Sequence, residues 1–206
     1  FAPAWNYGVV GGRRFGLPFN TSTPVLFYNL DVFRAKGLEA PRDWRAFERT
    51  ALALTSRAAK GFIFVTDPQA WLFEAMVTSR GGSLVQDDRP NFTSREAVAA
   101  LEMLYRLKEA GALSVRSMAE ATFAQLDFVR TKGMMVMASI ANWPAAENFS
   151  FAFALGVAPV PREEGGKVPM GGAQLVVLKG ASEAQARGAV AFWKYLMEPE
   201  NVARWV

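Results

Sequence analysis

The sequence predicts an α/β fold in which a mixed sheet is flanked by helices. Short branched or aromatic runs at residues 25–28, 62–65, 134–140, 155–160 and 175–178 are bounded by Gly, Pro, Asn or Asp, the mark of strands. Capped stretches with a helical apolar period alternate with them, and no internal repeat is present. The 206 residues, 51% of them apolar, are ample for a core.

Residues 1–15 hold Trp5 and Tyr7 with little periodicity, which predicts a surface loop. Residues 16–23 carry Gly, Asn, Ser, Thr and proline, turn chemistry that predicts a polar loop feeding the strand at 25–28. A helical turn over 30–36 ends at Gly37. Asp43 caps a helix with Trp44, Phe47, Ala51 and Leu54 on one stripe, ending at Gly61. After the strand at 62–65, Thr66-Asp67-Pro68 caps a helix carrying Trp71, Leu72, Ala75 and Met76. Thr93-x-x-Glu96 reads as a capping box before Val98, Leu101, Leu104 and Leu107, with a stop at Gly111. The next helix is expected over 118–130, with Phe123, Leu126 and Val129 inward.

The run 134–140 suits a strand covered on both faces. Asn142-Trp143-Pro144 turns the chain, residues 145–149 suit a helix, and 162–167 form a charged loop. Ser182-x-x-Gln185 caps a last helix that breaks at Pro199.

Composition excludes several function classes. The 23 basic and 19 acidic residues leave a net charge of +4 spread along the chain, without the clustered basic face of nucleic-acid binders. The absence of cysteine and histidine removes thiolate and imidazole metal ligands and the usual neutral-pH base. No cofactor and no metal are expected. No apolar run reaches membrane-span length. The chain opens on Phe1 without a charged-then-apolar leader and stops at Val206 inside an amphipathic pattern, as expected of a piece of a longer protein.

One stretch resembles a known family closely. Pro18-Phe19-Asn20-Thr21-Ser22-Thr23-Pro24-Val25-Leu26-Phe27-Tyr28-Asn29, followed by Asp31, Phe33, Gly37 and Leu38, is similar to the crossover segment of extracellular solute-binding proteins of bacterial ABC importers. The likeness is strongest to the glycerol-3-phosphate and sugar branch. Pro41 with Trp44, Gly171-Gly172-Ala173-Gln174 and Pro199-Glu200-Asn201 before Trp205 match further motifs of that family. The resemblance implies a periplasmic-binding-protein-like lobe of the maltose-binding type, truncated. By it, residues 1–26 are a first-lobe remnant with the first hinge crossing, 27–170 the second lobe, and 171–206 the second crossing and return.

It also implies a periplasmic or extracellular protein, monomeric when intact. Such a protein takes a carbohydrate, polyol or glycerol phosphate and delivers it to a membrane permease. The piece itself is expected to bind weakly. Trp71, beyond a strand end, is either a core residue or a flat apolar platform for a sugar ring; the resemblance selects the platform. Trp143 has the same two readings. Ser139 is either a ligand donor or satisfied by backbone. Thr21 and Ser22 are turn stabilisers or ligand donors, with Ser22 a donor by the resemblance and Asn20 turn chemistry. Gly171 and Gly172 are a turn or, by the resemblance, backbone donors at the second crossing. There Gln174 replaces the family's serine, a longer amide for a small hydroxyl.

The alternative is a glycoside hydrolase or phosphatase working through carboxylates. Asp67 and Glu74 are a candidate pair for it, and they stand a full helix register apart; the acidic pair Glu163-Glu164 lies in a hydrophilic loop and reads as solvated. A third reading is an interaction fragment without a ligand of its own.

Overall fold

The structure, a computed structural model, describes residues 2–66, 70–148 and 152–204. The chain separates into two compact units, Phe1–Ser22 with Met170–Val206, and Thr23–Pro169.

The first unit opens with helix α1 (Ala2–Asn6) and a hairpin of β1 (Val9–Val10) and β2 (Arg13–Arg14), where a loop was expected. Gly11 and Gly12, at φ +55° and +76°, supply the two left-handed positions that a two-residue hairpin needs. The polar run is not a loop either. Leu17–Ser22 is strand β3, and it is extended because a distant segment pairs with it.

The second unit begins with β4 (Pro24–Asn29) and α2 (Leu30–Ala35), capped by Asn29 Oδ1, which accepts from Val32 N at 3.0 Å. Helix α3 (Trp44–Leu54) is capped by Asp43, whose Oδ1 accepts from Ala46 N at 2.6 Å; Trp44, Phe47, Ala51 and Leu54 are buried as the stripe predicts. Gly61 does not end this helix. It lies in β5 (Lys60–Thr66), where any β-carbon would collide with the Ala51 carbonyl, so the strand runs hard against α3.

Helix α4 (Trp71–Thr78) starts after Ala70, at φ +52°, without a side-chain cap; Asp67 and Pro68, the expected cap, lie outside the described residues. A small hairpin, β6 (Val85–Gln86) with β7 (Arg89–Pro90), precedes α5 (Arg95–Glu109). Ser94, not Thr93, caps α5, its Oγ accepting from Ala97 N at 3.3 Å. The buried stripe is Ala97, Ala100, Met103 and Leu107, because the alanines let the helix approach closely, while Val98 and Leu101 are exposed.

Strand β8 (Leu113–Ser117) follows, unanticipated, then a 3-10 turn at Met118–Glu120 and α6 (Ala121–Val129). Ala124 and Phe128 face inward on α6; Phe123 and Leu126, expected inside, are exposed. Strand β9 (Gly133–Ser139) leads through a second 3-10 turn, Ile140–Asn142, into α7 (Trp143–Asn148), so Trp143 opens a helix. Phe149, expected in that helix, lies outside the described residues. Strand β10 (Leu155–Pro159) is the last strand of the unit, which runs on to Pro169.

The chain then returns to the first unit as β11 (Gly171–Leu175), α8 (Glu183–Leu196) and α9 (Pro199–Val202). The strand expected at 175–178 therefore lies upstream. Val176, Val177 and Leu178 are exposed because no neighbour among the described residues pairs with them. The capping box on α8 forms, Ser182 N donating to Gln185 Oε1 at 2.8 Å and Ser182 Oγ accepting from Gln185 N at 3.2 Å. Trp205 is not described.

The second unit's sheet has the order β10-β4-β9-β5-β8. Strands β9, β5 and β8 run parallel, while β4 is antiparallel to both its neighbours. Alternate residues go to opposite faces. Leu26, Phe62, Met135 and Met137 join α3, α4 and α5 in one core cluster. Val25, Phe27 and Ile63 join Ala124 and Phe128 of α6 in the other. This is the mixed sheet flanked by helices that the sequence predicts.

Candidate functional site

In an open α/β sheet, ligands gather beyond the carboxyl ends of parallel strands. Here those ends are Ser139 on β9, Thr66 on β5 and Ser117 on β8. The same edge receives the chain, since Pro24 pairs with Ser139, and β10 ends beside it, since Pro159 pairs with Val25, before residues 160–169 run on past Arg42, Thr78 and Ser79 of the same unit. Thr23 is fixed there by its carbonyl, which accepts from Ile140 N at 2.9 Å.

Three sequence-predicted residues stand at this edge. Trp71 is the first residue of α4, half-buried against the cluster that α3 and α5 share. The left-handed Ala70 turns the chain from β5 into that helix. Trp143 is also half-buried, but against the α6 cluster, its ring 6.4 Å from that of Phe27. The two indoles thus flank opposite faces of one sheet edge and share no core cluster. Between them Ser139 caps the 3-10 turn, Oγ accepting from Ala141 N at 3.1 Å. One lone pair is used in this way, and its proton and second lone pair remain.

The other five candidates meet in the first unit, on the antiparallel ladder of β3 and β11. Ser22 faces Gly171 and Thr21 faces Gly172. Gly172, at φ +130°, has the Asn20 carbonyl where a β-carbon would sit, so only glycine fits. The register shifts between Ala173 and Gln174, and there Asn20 Oδ1 accepts from Ala173 N at 2.8 Å. Asn20 thus holds a ladder, not a turn. Gln174 lies over Gly8 and Gly16, whose missing β-carbons make room for its amide oxygen, and its Nε2 is buried without a hydrogen bond. Trp193 of α8 clamps this ladder from outside, Nε1 donating to the Pro18 carbonyl at 2.6 Å.

Two charged groups at the second unit's edge were not anticipated as neighbours of the site. Glu74 follows Trp71 by three residues on α4, half-buried. Arg116, near the end of β8, pairs with Asp127 Oδ2 at 2.7 Å and Glu120 Oε1 at 3.6 Å. The hydrogen bond to Asp127 holds the Arg116 guanidinium above its ordinary value. Glu120 is held below the ordinary glutamate value, chiefly by the hydrogen bond from Ser117 N, then by the Ser117 hydroxyl. The spacing of Trp71 and Glu74 was the available signal for the first. Arg116 had none, because β8 itself was missed.

Asp67, the potential acid/base partner of Glu74, is outside the described residues. Among the described residues no group of acidic side chains could hold a metal ion, and no helix is long and apolar enough to cross a membrane.

Comparison with known proteins agrees with this architecture. The sequence pattern of a family described as bacterial extracellular solute-binding protein matches residues 2–206. The chain is 27% identical over 214 residues to the sn-glycerol-3-phosphate-binding periplasmic protein UgpB of Pectobacterium atrosepticum, which covers 94% of this chain and 47% of that protein. It spans about half the length of the curated relatives it matches. Among solved structures, UgpB from Mycobacterium tuberculosis in complex with glycerophosphocholine superposes with a TM-score of 0.86 at 21% identity, over 99% of this chain and 54% of that one. Maltose-bound MalE3 of T. maritima superposes with a TM-score of 0.77 at 21% identity, over 98% of this chain and 55% of that one. At such identities the likeness shows the fold, which is of the maltose-binding type.

Proposed function

Because the chain belongs to the bacterial extracellular solute-binding protein family, we propose that the protein is the substrate-binding component of an ABC transporter. It captures a carbohydrate, polyol or glycerol phosphate, closes two lobes over it, and delivers it to a membrane permease from the periplasmic or extracellular side. The work is non-catalytic, and the intact protein acts as a monomer. Residues 27–170 form most of the second lobe. Residues 1–26 and 171–206 carry the two hinge crossings and parts of the first.

The observation that supports this reading most is the placement of Trp71, Ser139 and Trp143 at the sheet edge where the chain enters the second unit. The indoles would serve as platforms for C–H faces, and Ser139 as a donor. Ser22, Thr21, Gly171, Gly172 and Gln174 would contribute from the β3–β11 ladder. The relatives and structural neighbours, which bind sn-glycerol 3-phosphate, glycerophosphocholine and maltose, set the range of ligands.

The test is calorimetric titration of the full-length protein with maltose, ribitol and sn-glycerol 3-phosphate. At least one should bind, and Trp71→Ala should weaken it by about tenfold or more, the usual worth of a buried aromatic anchor. Absence of binding to all three would sink the proposal; unchanged affinity in Trp71→Ala would remove that residue from the site.

A further inference from the structure

Residues three apart on a helix lie side by side, so Trp71 and Glu74 share one face in the first turn of α4. That face is not the buried one: Leu72, Ala75 and Met76 go to the core, whereas the indole and the carboxylate are both half-exposed. The Glu74 backbone carbonyl accepts from Thr78 Oγ1 at 2.8 Å. Its carboxylate, however, has neither a hydrogen bond nor an ion pair among the described residues. The charged groups nearby in sequence are spent elsewhere, Arg80 donating to the Met76 carbonyl and stacking 4.2 Å from Trp44.

An ionised carboxylate only accepts hydrogen bonds, and a partly desolvated one without donors is unfavourable. Hydroxyls of a ligand lying on the neighbouring indole would supply such donors. A phosphate would not, and its charge would be repelled at that distance.

We propose that Glu74 is a second ligand contact beside Trp71, accepting hydrogen bonds from hydroxyls of a neutral sugar or polyol whose C–H face rests on the indole. This rests on the reading of the sheet edge as a ligand site, and it narrows the ligand from the whole family range to an uncharged one whose hydroxyls, with no phosphate charge, lie beside Glu74.

The experiment is titration of the full-length protein and of its Trp71→Ala, Glu74→Gln and Glu74→Asp variants with maltose, ribitol and sn-glycerol 3-phosphate, each with its melting temperature. The parent protein should prefer maltose or ribitol. Glu74→Gln should weaken that ligand by about tenfold or more, the worth of a charged hydrogen bond, while sn-glycerol 3-phosphate binds unchanged or more tightly. Glu74→Asp keeps the charge but withdraws it, so affinity should fall while discrimination against the phosphate persists; it also stands in should the glutamine variant fail to fold. A glutamate with only a structural role would lower all ligands and the melting temperature together, which overturns the proposal. A parent that prefers sn-glycerol 3-phosphate overturns it too. Weaker binding in Trp71→Ala with unchanged affinity in Glu74→Gln leaves the site reading standing and removes Glu74; no binding by the parent removes both.

Discussion

Gly61 and Gly172 are places where the backbone fills the space of a side chain. Gly61→Ala would drive a β-carbon into the Ala51 carbonyl, forcing β5 from α3. A cost of about 1–3 kcal/mol is expected, the usual penalty of overpacking, seen as a lower urea midpoint with native fluorescence retained. Gly172→Ala meets both a left-handed φ and the Asn20 carbonyl. It should release the β3–β11 pairing, which faster hydrogen exchange at Thr21 and Ala173 would report. Glu120 gives a pH dependence. Its folded value lies below the unfolded one, so its contribution is complete above the ordinary glutamate range and is lost as pH falls through the lowered value. Glu120→Gln should therefore flatten part of the acid limb of stability, measured as urea midpoints from neutral to acid pH.

At the level of elements, α3 and α5 make an instructive pair. In α3 the cap and the stripe agree, and Asp43→Ala should cost about 1 kcal/mol in urea unfolding by leaving the Ala46 amide without its acceptor. In α5 the larger apolar side chains were half right: Leu104 and Leu107 pack as expected, while Val98 and Leu101 are exposed because the start of the seam is lined by Ala97 and Ala100. Strand β8 alternates Leu, Ser, Val, Arg and Ser, too short and too polar to show itself, and it exists because β5 offers a parallel edge. Strands β3 and β11 were hidden for another reason. Asn20 and Ala173 are 153 residues apart in sequence, and residues such as Asn, Thr, Ser and Gly look like turn chemistry until a partner strand is known. At the candidate site, the placement of Trp71 and Trp143 after strand ends was legible. Their division between opposite sheet faces was not, because it depends on the left-handed Ala70 and on the 3-10 turn at Ile140–Asn142.

Across the whole molecule, buried apolar side chains are unevenly shared. Every buried hydrophobic residue among those described belongs to Thr23–Pro169, while in the other unit only Gly8 and Gly16 are buried. In the 206-residue chain, amides of β4, β5 and β9 should accordingly exchange slowly and together, and those of β3, β11 and α8 orders of magnitude faster, in a native-state deuterium experiment. Equal protection in both units would contradict this. One more property follows from the pairing of Ser22 with Gly171, which stand beside the two junctions of the larger unit. Opposite residues of neighbouring antiparallel strands lie about 5 Å apart, so the larger unit begins and finishes almost at one point in space. A stretch of gene with both its junctions so close can be lifted out and exchanged between relatives as a cassette, giving recombination a simple way to fit a different recognition surface to an unchanged host.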